Sequence, residues 1–187
     1  MDDALNFGNR EEWRSWLAEN FDKQKYAWLL LCKKGVDMKG MSLEETVEEA
    51  ICFGWIDGKL RRIDEKRFIL RFSPRKLKSI WSKINKERAE RLIATGKMTE
   101  AGLATVEAAK KSGAWESAYT SRVAGPLPED LEEPLMKGDV ARANFQRFSN
   151  SYTNMCIAWI NTSKTSETRT RRIRKVVEQS RQHSKLT

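Results

Sequence analysis

The chain has 187 residues, enough for one large domain or two small ones, and 40% of them are apolar, including seven Trp and seven Phe. That content supports a packed core and excludes a disordered chain in spite of the high charge. The formal charge of +9 favours polyanionic partners, namely nucleic acid, phosphorylated ligands or an anionic surface of protein or membrane.

The three cysteines, Cys32, Cys52 and Cys156, are far apart and form no C-x-x-C pair. Such usage fits a reducing compartment, with each thiol acting as a small buried apolar group. Residues 1–10 hold Asp2 and Asp3 and no apolar run, so no secretory signal is read there. The longest aliphatic stretch, Trp28 to Cys32, is too short to span a bilayer. A cytoplasmic protein without a transmembrane segment is expected.

Asn9 with Glu12 three residues on predicts the cap of a first helix, with Trp13, Trp16 and Leu17 on one face. Trp28 to Cys32 is apolar without alternation and reads as a strand buried on both faces, with a buried helix turn as the alternative. Gly35 and Gly40 bracket a loop. Ser42 with Glu45 forms a second capping pair, opening a helix that buries Leu43, Val47, Ala50 and Ile51 and ends at Gly54. From Trp55 the period becomes two. Ile56, Gly58 and Leu60 face the core, and Phe68, Leu70 and Phe72 return on the same side. The expected register sets Asp57 opposite Arg71, Leu60 opposite Phe68 and Arg61 opposite Arg67. A one-residue slip would expose three large side chains at roughly 1.5–3 kcal/mol each.

After Pro74 helices follow. One holds Trp81, Ile84 and Leu92 and stops at Gly96, and the next starts near Thr99 and carries Leu103 and Val106. Gly113, Gly125, Pro126 and Pro128 mark a linker. The last third reads as helix: a segment with Leu131 and Leu135, one capped by Asp139, one capped by Ser149, and one from Ser166 into a frayed tail. Pro134 predicts a kink or break. The expected fold class is α+β. A small antiparallel sheet with a basic hairpin, packed by helices, occupies residues 1–112. Residues 113–127 form the linker and residues 128–187 an all-helical part.

Histidine chemistry is disfavoured, because the sole His, His183, sits in the polar tail. The Cys and His pattern makes no zinc site, and no P-loop or dinucleotide fingerprint occurs, so neither metal nor cofactor is expected. The carboxylates read mostly as solvated helix-surface partners of Lys and Arg. Two basic clusters remain. One comprises Lys59, Arg61, Arg62, Lys66, Arg67, Arg71, Arg75, Lys76 and Lys78, and the other lies in the last helix, with Arg169, Arg171, Arg172, Arg174 and Lys175. Arg favours phosphate and carboxylate through its planar fork. In the last helix a structural role for Arg169 and Arg172 beside the core outweighs a binding role. For Trp55 and Asp57 a structural reading is likewise favoured, with Trp55 in the core and Asp57 neutralising Arg71.

Several motifs resemble those of one family. They are Trp13-x-x-Trp16-Leu17, Glu48-Glu-Ala-Ile-Cys-Phe-Gly-Trp-Ile-Asp-Gly58, Arg71-Phe-Ser-Pro-Arg75, and Ser79-Ile-Trp-Ser82 with Asn85. Gly96-Lys-Met-Thr99 with Ala101-Gly102-Leu103, and Glu167-Thr-Arg169 with Arg171-Arg172-Ile173, extend the list. By these the chain resembles the YdeI/OmpD-associated, or bacteriocin-protection, family from about residue 7 to 180. The resemblance implies a stress or bacteriocin-protection role and supplies no catalytic residue. Pro134 and Ser163 depart from the family pattern.

Two functions follow as expectations. One is a non-enzymatic binding protein that engages an anionic ligand, nucleic acid or acidic protein surface through the basic hairpin. Its candidate residues are Trp55, Asp57, Lys59, Arg61, Arg67, Arg71, Arg75, Trp81, Asn85, Arg169 and Arg172. The alternative is a metal-free enzyme with a site between the hairpin and the C-terminal helices, using Asp57, Arg71, Arg75 and Asn85.

Overall fold

A computed structural model of the chain describes residues 4–33, 35–36, 40–76, 79–120 and 125–183. In chain order the elements are β1 (Ala4–Leu5), α1 (Arg10–Asn20), β2 (Ala27–Cys32), α2 (Leu43–Cys52), β3 (Trp55–Arg62) and β4 (Arg67–Pro74). They continue as α3 (Lys83–Ala94), α4 (Glu100–Ser112), α5 (Glu129–Met136), α6 (Asp139–Gln146), α7 (Asn150–Asn161) and α8 (Ser166–Arg181). The fold is α+β. The chain divides into two compact units, one of residues 1–79 and 87–108, the other of residues 80–86 and 109–187. Lys78 of the basic cluster and residues 121–124 of the expected linker lie outside the described residues.

The first unit is built on one sheet of order β1-β2-β4-β3. The hairpin strands and β2 are antiparallel, and β1 joins β2 in parallel, which makes the sheet mixed. Strand β2 alternates: Ala27, Leu29 and Leu31 are buried, whereas Trp28, Leu30 and Cys32 are only half-buried. The expected burial on both faces is therefore corrected to one. Opposite these, Phe72, Leu70 and Phe68 of β4 bury the same core face. Helix α1 covers it, with Trp13 5.7 Å from Phe72 and stacked on Trp16 at 5.3 Å. The Trp13 indole N–H donates to Thr46 O in α2 at 3.1 Å, so a polar atom in the core keeps its partner.

The hairpin register differs from the expected one. Asp57 lies opposite Phe72, Leu60 opposite Leu70, and Arg61 opposite Ile69, with an irregularity between Asp57 and Leu60. Asp57 therefore shares the core face with Phe72, on the side away from Arg71, and Arg61 does not face Arg67. Two causes act together. Trp55, rather than Ile56, takes the core position and becomes almost fully buried, so the larger ring fixes the parity at that end. Gly58 and Lys59 then stand against the single residue Arg71, a bulge that shifts the parity again toward the tip. The predicted Leu60 keeps the core-side parity but stays 55% exposed, like its neighbours from Gly58 to Ile63.

Helix ends follow the local chemistry. The Asn9 side chain accepts from Glu12 N at 2.9 Å, and Ser42 with Glu45 completes a reciprocal capping box. Gly54 and Gly96 adopt positive φ just after α2 and α3. Asp139 is the first residue of α6 rather than its cap, and Gly138 holds the cap position without a side-chain bond.

In the second unit, Leu131, Leu135, Phe145, Cys156, Ile160, Ile173 and Val176 are among the residues of one core built by α5 to α8. Pro134 lies inside α5, so of the expected kink or break no break occurs there. Trp81 meets Trp115 edge-on at 5.0 Å, and Lys83 N and Tyr119 N pair with Tyr119 O and Trp81 O at 2.7 and 3.0 Å. Ala114, Trp115 and Ala118 are buried within the segment expected as a linker. The buried Asn154 amide donates to Thr120 O and accepts from Gly125 N, which anchors both residues of that segment to α7.

Candidate anion-binding face of the sheet

The outer face of the sheet carries side chains of both charge and ring. Trp28, Leu30 and Cys32 of β2 stand opposite Arg71, Ile69 and Arg67 of β4, and Arg61 of β3 follows beside Ile69. The Arg61 guanidinium lies 4.7 Å from the Trp28 ring centre, and that of Arg71 lies 4.7 Å from the ring of Tyr26, just before β2. Cation–π contacts of this kind restrain both guanidinium groups against the rings. Tyr26 is half exposed. Among the described residues neither Arg61 nor Arg71 forms an ion pair, whereas Arg62 pairs with Glu65 and Arg67 with Asp64 at 2.8 Å. The Asp64 carboxylate also accepts from the backbone of Lys66 and Arg67, and these bonds together hold it below the usual Asp range. The positive charge of this face is thus carried without local neutralisation by Arg61, Arg71 and the exposed Lys59 at the bulge.

At the start of β2 lies a groove of about 640 Å³ whose lining includes Leu5, Trp16, Lys23, Lys25, Tyr26 and Trp28. Neither Tyr26 nor Trp28 was among the expected site residues. Their signal was the pattern Tyr26-Ala-Trp28, in which a small core residue separates two rings that must then share the other face.

The remaining candidates sit elsewhere. Trp55 is buried, donates its indole N–H to Phe21 O at 3.0 Å and stands edge-on to Trp16. Asp57 is on the core face, where burial raises its carboxyl above the ordinary range and the charges of Arg75 and Arg88 offset only part of the shift. Arg75 is itself buried and its backbone N donates to Gly54 O at 2.8 Å. Trp81 and Asn85 are buried in the second unit. Asp57 and Arg71 do not gather on one face of the sheet, since they project to opposite sides.

Arg169 pairs through its guanidinium with Asp130, one of the two bonds being 2.8 Å, and donates to Asn161. Arg172 donates to Thr162 and to Trp159 O and stacks 5.2 Å over the Trp159 ring. Both clasp helices of the second unit to one another. The carboxylates Glu48 and Glu49 correct the expectation of solvated partners. Glu49 is 2% exposed and pairs with Arg10 and Arg14, while Glu48 pairs with Arg10 and Arg91. Arg10 and Arg14, one turn apart on α1, were the legible half of that network. No cluster of three metal-binding side chains occurs among the described residues. His183 lies beside the Phe148 ring at 5.7 Å.

Residues 5–105 match the family described as a domain of unknown function, DUF8412. Residues 125–183 match the family described as bacteriocin-protection, YdeI or OmpD-associated. With the first match spanning over half its length, the chain belongs to the DUF8412 domain family and carries a YdeI/OmpD-associated domain in its C-terminal region. The motifs from Trp13 to Leu103 that carried the resemblance therefore fall in the region of the first match. No curated protein and no solved structure matches the chain. No helix among the described residues is long and apolar enough to cross a membrane.

Proposed function

We infer that this is a non-enzymatic binding protein that engages an anionic partner through the outer face of the sheet, in the stress or bacteriocin-protection setting that its C-terminal domain's family name suggests. One observation carries the reading. Arg61 and Arg71 are the arginines of the hairpin that lie on aromatic rings rather than against carboxylates. Guanidinium groups so placed are pre-ordered by stacking and retain their donors for an incoming anion. The concentration of cations on one hairpin of a +9 chain adds long-range attraction for the same partner.

The test is titration with inorganic polyphosphate by calorimetry at low and at high salt. The wild type binds at low salt and weakens as salt rises, because screening shortens the reach of each charge to about 8 Å at physiological ionic strength. The double variant Arg61→Ser, Arg71→Ser loses at least about tenfold in affinity, since each charge-assisted hydrogen bond contributes roughly 1.5–3 kcal/mol. Equal binding by the variant, or no binding by the wild type at low salt, would refute the reading.

A further inference from the structure

The groove at Tyr26 adjoins the rings that carry the arginines, and its lining specifies the partner more narrowly. We propose that the sheet binds single-stranded nucleic acid, with an unpaired base stacked at Tyr26 and Trp28 and the backbone running toward Arg71 and Arg61. This rests on the anion-binding reading and adds a base to the anion.

Three features carry the step from anion to oligonucleotide. First, the cations are interleaved with rings. A surface for simple phosphate needs no aromatic groups, whereas base stacking on exposed rings contributes much of the affinity of sequence-tolerant single-strand binders. Tyr26 keeps half its surface in solvent although Arg71 already lies over its ring, so a flat ring system can still reach it. Second, the groove of about 640 Å³ falls within the usual range for small-molecule sites and bears Lys23 and Lys25 at its rim beside Trp16, Tyr26 and Trp28. A base inserted there has cations next to its own phosphate. Third, the guanidinium groups of Arg71 and Arg61 lie over Tyr26 and Trp28, two residues apart along the chain, which sets the two charges roughly 7 Å apart. That is the reach of a short chain of phosphates rather than of one free ion. A duplex is disfavoured because its bases are stacked on one another and cannot enter the groove.

The test is fluorescence anisotropy with a short labelled single strand, as RNA and as DNA, against a duplex of the same sequence and against polyphosphate. Two variants accompany the wild type, Tyr26→Ala and Tyr26→Phe. The exposed position of Tyr26 keeps both folded, and circular dichroism checks this. The expected result is tighter binding of the single strand than of the duplex. Tyr26→Ala loses about tenfold for the single strand, Tyr26→Phe retains it, and the loss of Tyr26→Ala for polyphosphate, where only the ordering of Arg71 is removed, is clearly smaller. A thiouridine-bearing strand irradiated on the protein crosslinks to the tryptic peptide Tyr26–Lys33. If the duplex binds as well as the single strand, or if Tyr26→Ala binds the single strand like the wild type, the nucleic-acid inference is overturned while polyphosphate binding keeps the anion reading. If polyphosphate and every oligonucleotide fail to bind at low salt, both readings fall together.

Discussion

Asp57 shows how a single side chain changes meaning with its face. On the outer side it would have neutralised Arg71. On the core side, beside Phe72, its carboxyl is desolvated and its charge is disfavoured, with Arg75 and Arg88 as partial compensation. A folded-state pKa raised above the unfolded value means that the group favours the fold where it is protonated. That contribution is complete below the unfolded value, near about 3.9, and is lost as pH rises through the folded one. Asn mimics the protonated form at every pH. Asp57→Asn is therefore expected to gain stability relative to the wild type as pH rises from about 4 to 7, which urea denaturation at both pH values measures. A difference that stays flat or shrinks with pH would place Asp57 in solvent. The sequence had Asp57 as a candidate and had the right residue types around it. It could not assign the side, because that depended on whether Trp55 or Ile56 won the core position.

At the scale of elements, the junction of α2 and α4 explains why several recognisable residues are what they are. The Thr99 side chain and backbone N both donate to Cys52 O, so the start of α4 is tied to the end of α2. A Cβ on Gly54 would come within 2.9 Å of both Ala101 O and the Thr105 methyl group. One on Gly102 would press still closer upon Cys52 O and Met98 Sδ. Backbone meets backbone here, and a methyl group has nowhere to go. Gly102→Ala is expected to cost about 1–3 kcal/mol through overpacking, read as a lower urea midpoint at unchanged slope. A midpoint equal to that of the wild type would mean that α4 can move away from α2 at no cost. The motif residues Gly54, Thr99 and Gly102 were visible in sequence, and so were the helix ends they mark. Their mutual contact was not, because it joins segments almost fifty positions apart. The same distance hid the buried pairs of Glu48 and Glu49 with Arg10, Arg14 and Arg91.

For the whole molecule, the question is whether net charge or its arrangement governs binding. Arg174 and Lys175 on α8 are exposed and form no ion pair among the described residues, so Arg174→Ser, Lys175→Ser removes the same charge as Arg61→Ser, Arg71→Ser. Polyphosphate affinity is expected to fall in the hairpin variant and to stay within about twofold of the wild type in the α8 variant. Equal losses in calorimetry would show that the +9 charge acts as a diffuse field and that the stacked arginines have no special part.

The sequence by itself determined most helix starts and stops, the α+β class, the hairpin and the concentration of cations upon it. These are local matters, set by caps, glycines and a period of two or 3.6 that neighbouring residues report. Only the tertiary structure decided the bulge at Gly58, the core-side placement of Asp57, the burial of Glu48 and Glu49, and the laying of Arg61 and Arg71 on Trp28 and Tyr26. Each of these compares burial or pairing between segments far apart in the chain, and the larger gain prevails. Burying Trp55 fixes one parity, covering the apolar face of β2 and β4 fixes another, and the bulge is where the two are reconciled.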